Sequence, residues 1–523
     1  MKKSVVFFAV LLSFLSISSA YAVNLDRDGG RIPIQNHGRI KPLAAFAQET
    51  LQFISGKKHW HGQSALNLLL VNSEHSQQFL DIPFIRVDHL GLKKTLGIEG
   101  ERNFFSFKEL KPFFHAIEVL AAGANEKRGK DNRPSVMEQK AEVLYQRLQM
   151  TGRLSSTDIL TVIPAVNGGV WTSPYLGHEG QSLAFQKLVS DYSDKAPQAG
   201  EEIRQWIAGT DRVLGKGQAV RVRLEALYYS LQPFLFAGIL YLLGFIFILG
   251  RKPAGQVWGN WLIVLGFIYH SVGLLLRALI LLRPPVANMY ETMIFMNWVL
   301  MLCVGIFVIW QKRRSLLSSG AIVSAMIMLY ANLLPVDQSL DVVSPVLRSS
   351  YWLTVHVITI VSSYSMFAFA MAVSHRHLFL AASGKLTEQE DQLSAQSINR
   401  LLQLGLILLG AGTILGGIWA NEAWGRFWGW DPKETWAFIT FLGYMTILHL
   451  RYSKKLTNFG LAVSGILGFI LVLMTWYGVN FLLGRGLHSY GAGSGGLIWI
   501  IYFLLVEASF LFFVFARKAR GRK

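Results

Sequence analysis

Hydrophobic patterning changes once along this 523-residue chain, near Gln232. Beyond that point apolar stretches of about 20 residues recur to the C-terminus, each long enough to cross a bilayer as a helix. Nine are readable, at 230–250, 257–282, 291–310, 316–334, 351–373, 400–419, 435–451, 458–478 and 496–516. From about 23 to 226, by contrast, apolar and polar residues are mixed and no stretch reaches span length. Within that region the spacing of apolar residues predicts amphipathic helices in GRIKPLAAFAQETLQFI (38–54) and AEVLYQRLQMTGRL (141–154), and EKRGKDNRP (126–134) predicts a solvated loop. Lys2 and Lys3, an apolar run from Val5 to Ile17 and Ala20-Tyr21-Ala22 form a secretory signal with an A-x-A cleavage site. The run is short for a span, which favours cleavage over an uncleaved anchor. The pattern therefore predicts a polytopic α-helical membrane protein with about nine transmembrane helices, preceded by a mostly α extracytoplasmic domain. Its divisions are a signal peptide at 1–22, an exported domain at 23–226, a first transmembrane helix at 230–250, a membrane domain at 257–516 and a basic tail at 517–523.

Composition fits that reading. Asp, Glu, Lys and Arg make up 16% of the residues, against about 25% in soluble domains, and mean hydropathy is +0.36. The 34 Phe and 15 Trp exclude a disordered chain. The net charge of +18 would suggest nucleic acid in a soluble protein, but its distribution points elsewhere. With the preceding domain outside, the first span runs inward. Arg251-Lys252, Lys312-Arg313-Arg314, His375-Arg376 with Lys385, Arg451 with Lys454-Lys455, and RKARGRK (517–523) then all fall in the cytoplasm, as the positive-inside rule requires. The outward loops (283–290, 335–350, 420–434, 479–495) carry isolated basic residues only. Signal and charge give the same orientation independently, so the bilayer, not nucleic acid, accounts for the basic excess of this half. The single cysteine, Cys303, lies in a span and excludes a disulfide framework within the chain, a CxxC redox motif and the CxxCH of a c-type cytochrome.

Candidate chemistry concentrates at one membrane face. WANEAWGRFWGWDPKETW (419–436) holds Trp419, Trp424, Trp428, Trp430 and Trp436, a third of all the tryptophans. An interfacial belt would spread them over all helix ends, whereas a cluster offers a broad apolar surface to a planar aromatic ligand. Asp431-Pro432-Lys433-Glu434 reads as an N-cap, a Pro at the first helical position and an acid at the third, so Asp431 and Glu434 are expected to start a helix rather than to catalyse. His356 lies about a turn and a half inside the outer end of its span, and His488 in the glycine-rich loop GRGLHSYGAGSGG at the same face. His449 lies 13 residues past Trp436, about 20 Å deeper, and His270 lies near mid-membrane. Ionisable groups at such depth are functional pointers, although a helix–helix hydrogen bond is the commoner role of a lone intramembrane histidine. Neutral imidazoles are frequent axial ligands of haem, and Arg348, Arg426 and Arg485 in the same outward region could fork onto its propionates, or serve simply as rim charges. His59 and His61 in the exported domain read as surface histidines rather than metal ligands.

WANEAWGRFWGWDPKETWAF resembles the tryptophan-rich WWD signature of haem-handling cytochrome c biogenesis proteins, most closely the CcsA (ResC) family of the system II cytochrome c synthase. RPPVANMYETMIF (283–295) is similar to that family's Asn-x-Tyr-Glu-Ser/Thr loop, WLTVHVITIVSSYSMF (352–367) to its first external histidine segment and VNFLLGRGLHSYG (479–491) to its second. The likeness covers most of the membrane half. It implies that His356 and His488 are the external axial ligands of haem b, that residues 419–436 hold its ring, and that His449 serves a second, intramembrane haem site. In fused synthases the other intramembrane ligand belongs to the CcsB (ResB) half. In this chain a signal and an exported domain stand where those early spans would be, and 230–250 resembles the last ResB-type span. The missing ligand is therefore expected on a separate ResB-like partner, with His270 as an internal alternative that the scaffold-like GLLLR beside it disfavours. GRIKPLAAFA resembles domains found beside such synthases.

The resemblance implies a multi-pass protein of the bacterial cytoplasmic membrane that attaches haem to exported apocytochromes bearing CxxCH. Thioethers would form by addition of two thiols across the haem vinyl groups, and with no redox-active cysteine pair in the chain a separate thioredoxin-like reductant is implied. A haem exporter without ligase activity needs the same sites. A b-type electron-transfer subunit is the other alternative, but it predicts paired histidines on facing helices and leaves the tryptophan cluster without a task. The related CcmF-type synthases share the signature but are usually longer, with more spans.

Overall fold

The computed structural model describes the chain apart from residues 1–24, 75, 99, 130–133, 157, 166–167, 177–178, 251, 334–337, 341–350, 484–496 and 521–523. The signal stretch and three candidate site residues, Arg348, Arg485 and His488, therefore lie outside the described residues. The chain divides into two compact units, one up to Tyr229 and one from Ser230.

The first unit is helical with short strand pairs. Leu43–Ser55, Ala65–Glu74, Phe114–Gly129, Val136–Ser155, Glu179–Ser193 and Ala199–Leu214 are its longer helices apart from Lys216–Leu231, and they enclose Ile34, Phe46, Ile54, Phe84, Leu148 and Phe185. The expectation of one helix over 38–54 needs correction. Arg39–Pro42 is a strand paired antiparallel with Pro33–Asn36, and the helix begins only at Leu43. The physical reason lies in the turn: His37 and Gly38 both adopt positive φ, the geometry of a tight two-residue hairpin, and Pro42 is held extended. The solvated loop expected at 126–134 is likewise shorter, because the helix from Phe114 continues to Gly129. The helix expected at 141–154 runs from Val136 to Ser155, started by a reciprocal cap between Ser135 and Glu138. The Glu138 carboxyl is held down to about 2, first by Lys127 and then by the Ser135 backbone N–H. Buried charges of the hairpin are paired, as burial demands: Arg39 donates twice to Glu225, at 2.6 and 2.7 Å, and Lys41 to Glu49 at 2.6 Å.

The second unit is a bundle of long helices: α1 (Pro233–Leu249), α2 (Pro253–Leu281), α3 (Met289–Gln311), α4 (Ser315–Leu333), α5 (Tyr351–Ala382), α6 (Glu388–Trp424), α7 (Pro432–Tyr452), α8 (Asn458–Leu473) and α9 (Leu497–Arg520). A π-helical segment, Met474–Leu483, continues α8. Among the described residues eight helical segments are long and apolar enough to cross a membrane. The chain is a polytopic helical membrane protein. The expected span over 435–451 is helical as α7, but it does not meet that apolar criterion; Lys433, Glu434, His449 and Arg451 are polar residues within it.

Helix α5 forms the centre of the bundle, with Phe367, Ala368, Phe369 and Ala370 fully buried, and it packs against α3, α4, α6, α8 and α9. Glycines on one face of α6 allow the close approach to α5. A side chain at Gly405, Gly412 or Gly416 would collide with Phe367, Ile360 or His356 respectively, which is the small-residue packing that replaces the hydrophobic effect between helices in lipid. Both α5 and α6 outrun the apolar stretches 351–373 and 400–419. Their extra turns are polar and mutually paired: Glu390 of α6 accepts from Arg376 of α5 and from Arg313 just before α4. Part of the basic excess is thus neutralised in the fold.

Candidate functional site

Helix α6 ends at Trp424, where Gly425 takes the left-handed conformation and its N–H closes on the Asn421 carbonyl. Seven residues separate it from the start of α7, and the turn between them is built around two carboxylates, Asp431 and Glu434. Asp431 accepts from the Lys433 and Glu434 N–H groups, both at 3.0 Å. Glu434 reaches back to the N–H of Gly429 at 2.7 Å and to that of Asp431 at 3.4 Å, and accepts from Arg426 at 3.2 Å. The cap expected from the sequence is present, with Pro432 at its first position. Arg426 folds across Gly429 so closely that a Cβ there would overlap its guanidinium, and it lies 5.7 Å over the Trp424 ring. Loss of the cap by Asp431→Ala should cost about 0.5–2 kcal/mol, seen as a lower thermal unfolding midpoint, while Asp431→Asn should stay close to wild type.

Against this turn stands His356 of α5. Its Nδ1 is 2.7 Å from the Gly412 carbonyl of α6. A carbonyl only accepts, so Nδ1 carries the proton and Nε2 carries the lone pair, the tautomer arrangement common to metal-binding histidines. The imidazole lies parallel to the Trp419 ring, with 6° between planes and 6.4 Å between centroids. Trp419, 2% exposed, meets Trp424 edge to face at 4.6 Å. Trp428 and Trp430 form a second edge-to-face pair at 5.7 Å. Trp430 is 67% exposed and takes a left-handed backbone, φ 57°, a conformation rare for a bulky residue and frequent at ligand sites. The buried indole N–H of Trp428 has no acceptor among the described residues, a donor left over for a bound group. The Trp436 carbonyl accepts from Thr475 at 2.9 Å. Four of the five tryptophans therefore form two edge-to-face pairs rather than lying in one plane.

Gly416→Ala probes this arrangement directly, because the new Cβ would fall 2.6 Å from Cε1 of His356. The imidazole or the helix must shift, and the protein should fold yet lose the spectral signature of a His356-ligated haem in a hemin titration.

The other histidines separate into two types. His449 of α7 is exposed, and its Nδ1 donates to the Met445 carbonyl at 2.8 Å. His270 of α2 is fully buried and spends both nitrogens on the protein, on the Ile294 carbonyl at 2.9 Å and the Tyr241 hydroxyl at 3.3 Å. It ties helices together. His59 is exposed on a strand and His61 lies edge-on to Trp60; among the described residues no group of three or more His, Cys, Asp or Glu could hold a metal ion.

Sequence reasoning missed a buried charge network at the start of α3. Glu291 of α3 accepts from Arg277 at 2.9 Å, from Arg283 at 2.7 Å and from the Ala287 N–H at 2.8 Å, and Arg277 also donates to the carbonyls of Gln338 and Ser339. The signal was a charge of each sign inside an apolar stretch, Arg277 and Glu291. Also missed was Lys433 of α7, which donates to Asn480 in the π-helical segment at 3.2 Å.

Fold and site together define a polytopic membrane protein with an imidazole and a tryptophan-rich turn at one end of its bundle. Comparison with known sequences gives that class a family. The profile described as cytochrome C assembly protein matches residues 286–488. The cytochrome c biogenesis protein CcsA of Trieres chinensis is 35% identical over 247 residues, covering 40% of this chain and 78% of that protein, and CcsA of Prochlorococcus marinus is 36% identical over 241 residues, 40% and 76%. Protein NrfI of Wolinella succinogenes is 30% identical over 509 residues, which takes in 90% of this chain but 55% of NrfI, so the chain spans about half the length of that relative. The chain belongs to the CcsA family of cytochrome c assembly proteins.

Proposed function

We propose that this protein holds haem b at the outer face of the bacterial cytoplasmic membrane and attaches it covalently to apocytochromes bearing CxxCH. The observation that carries the reading is His356, fixed by the Gly412 carbonyl in the tautomer with its lone pair on Nε2 and set parallel to Trp419 beside the capped tryptophan-rich turn. His488 supplies the second external ligand, and Trp424, Trp428, Trp430 and Trp436 enclose the ring. Arg426 is already engaged by Glu434 and presents a positioned guanidinium to the propionates, a role shared with Arg348 and Arg485. The donor Trp428 N–H is available to the same groups.

The chemistry asks for positioning. Each cysteine thiol adds across one vinyl group: the sulfur bonds one vinyl carbon, the thiol hydrogen goes to the other, and nothing leaves. Both reactants held in register gain the rate advantage of an intramolecular step. The CxxCH histidine replaces one external ligand and so aligns the thiols. Cys303 is embedded in α3, so the substrate thiols are kept reduced by a separate thioredoxin-like protein. His449, exposed on α7, faces away from the bundle's own packing, which suits a haem shared with a ResB-like partner. His270 has no nitrogen to spare.

The test is co-expression of the chain with a ResB-like partner and an apocytochrome in cells lacking cytochrome c maturation, read by covalent haem stain. Holocytochrome should form with the partner present. Haem binding without attachment to any CxxCH substrate would instead make the protein a haem exporter, and holocytochrome without the partner would contradict the shared site at His449.

A further inference from the structure

A chamber of about 970 Å³ lies among the membrane helices, lined by residues of all of them except α6 and α7. Four of its lining residues, Leu249, Met326, Phe379 and Val506, are 45–64% exposed, so it opens onto the apolar surface that the bilayer covers. Along α4 the lining runs from Ser315 to Tyr330, about 22 Å of helix. One leaflet of a bilayer, headgroup included, measures about 20–22 Å. The wall is soft, with Met293, Met296 and Met371, and methionine adapts to flexible guests. A second transmembrane helix, about 10–12 Å wide, would fill roughly 1,700 Å³ over the same length, more space than the chamber offers.

The polar lining gathers at one end. Successive spans alternate in direction, so the starts of α2 and α4 and the end of α5 lie together at the basic end of the bundle. There the chamber is lined by Gln256 and Asn260 of α2, by Arg314 just before α4 and by Arg376 of α5. Arg376 is engaged by Glu390. Deeper in the wall, His375 and Glu507 are bonded to each other at 2.8 Å, and His375 also to the Met371 carbonyl at 2.9 Å, so this pair is closed on itself. Arg314 differs: it is exposed and has no ion pair among the described residues. Gln256 and Asn260, four residues apart, share one face of α2 and present amides that both donate and accept.

We propose that the chamber binds one anionic phospholipid of the phosphatidylglycerol class, drawn from the leaflet at the basic end. Its phosphate sits on Arg314, its headgroup hydroxyls meet Gln256 and Asn260, and its acyl chains run along α4 against α5. Basic pockets between membrane helices are the usual receptors of such headgroups. An uncompensated cation at the mouth, an apolar wall one leaflet long and an opening to the bilayer together select an anionic lipid. The lipid is a resident ligand that fills the space beside the central helix α5, and its binding does not depend on haem.

The test uses the full-length chain, delipidated in mild detergent and titrated with dioleoyl phosphatidylglycerol, with dioleoyl phosphatidylcholine or with inorganic phosphate. Native mass spectrometry reads stoichiometry, and the thermal unfolding midpoint reads the stabilisation that a ligand of the folded state confers. Phosphatidylglycerol should bind at about one per chain and raise the midpoint; phosphatidylcholine should bind more weakly and inorganic phosphate should do neither. Arg314→Gln should weaken phosphatidylglycerol about fivefold, the factor that corresponds to one lost cation at a membrane surface, and bring it level with phosphatidylcholine. Arg314→Lys should restore most of the preference, and Lys455→Gln, a change at the same basic end outside the chamber lining, should leave it intact. Val323→Trp, which puts bulk into the lined space, should expel the lipid; if that variant does not fold, the Arg314 series decides alone. The proposal is overturned if phosphatidylglycerol and phosphatidylcholine bind the wild-type chain equally, if binding is indifferent to Arg314, or if inorganic phosphate stabilises as well as the lipid, which would make the site one for a free anion.

Discussion

Alanine in place of His356 should abolish covalent haem attachment and reduce hemin affinity at the external site by more than roughly 100-fold. Loss of a partner that merely orients a metal ligand already costs 10–100-fold, and this substitution removes the ligand itself. Neither the Gly412 carbonyl nor Trp419, which contact its ring, is an imidazole-like ligand. The Gly412 carbonyl that orients the ring is an acceptor, Trp419 has no lone pair to give, and α6 is kept clear of the ring only by Gly416. His356→Gln should remain folded and equally inactive, while His356→Gly with added imidazole should recover part of the haem spectrum. Anaerobic hemin titration with parallel haem staining reads both effects.

The largest expected loss of stability follows from Glu291→Ala. Arg277 and Glu291 are both fully buried, and the carboxylate is the charge partner of Arg277. Removing one member of a buried pair leaves an uncompensated charge in a medium that solvates it poorly, at a cost of about 3–5 kcal/mol. The damage also spreads, because Glu291 holds Arg283 and the Ala287 N–H, and Arg277 holds the carbonyls of Gln338 and Ser339. Thermal unfolding in detergent should show a lowered midpoint and reduced yield. The double substitution Arg277→Met with Glu291→Met should recover much of the loss, since replacing both charges with apolar residues of similar volume removes the desolvation penalty. A double variant no better than Glu291→Ala would show that the network acts through its contacts with the loop.

Much of the membrane unit was legible because the bilayer imposes a helix length that hydropathy can read. The ends were not: α5 and α6 continue through polar turns whose charges are satisfied by Glu390, Arg313 and Arg376, partners remote in sequence. The start of α7 was legible for the opposite reason, since Asp431, Pro432 and Glu434 build the cap from local spacing alone. At 38–54 helical periodicity misled over its first residues, where the turn at His37-Gly38 pairs Arg39–Pro42 with the preceding strand. In the site, tryptophan number and histidine depth were visible, but their mutual geometry was not. That Gly416 makes room for His356, that Glu434 anchors Arg426, and that His375 meets Glu507 across 132 positions are facts of packing. His270 shows the same limit, because only the structure reveals that both its nitrogens are occupied.

The most direct test of the central claim is the absorption and magnetic circular dichroism of haem bound to the purified full-length chain. Two external histidines predict a six-coordinate, low-spin haem, converted to a high-spin, five-coordinate species in both His356→Ala and His488→Ala and restored by imidazole. Unchanged low-spin spectra in both variants would contradict it.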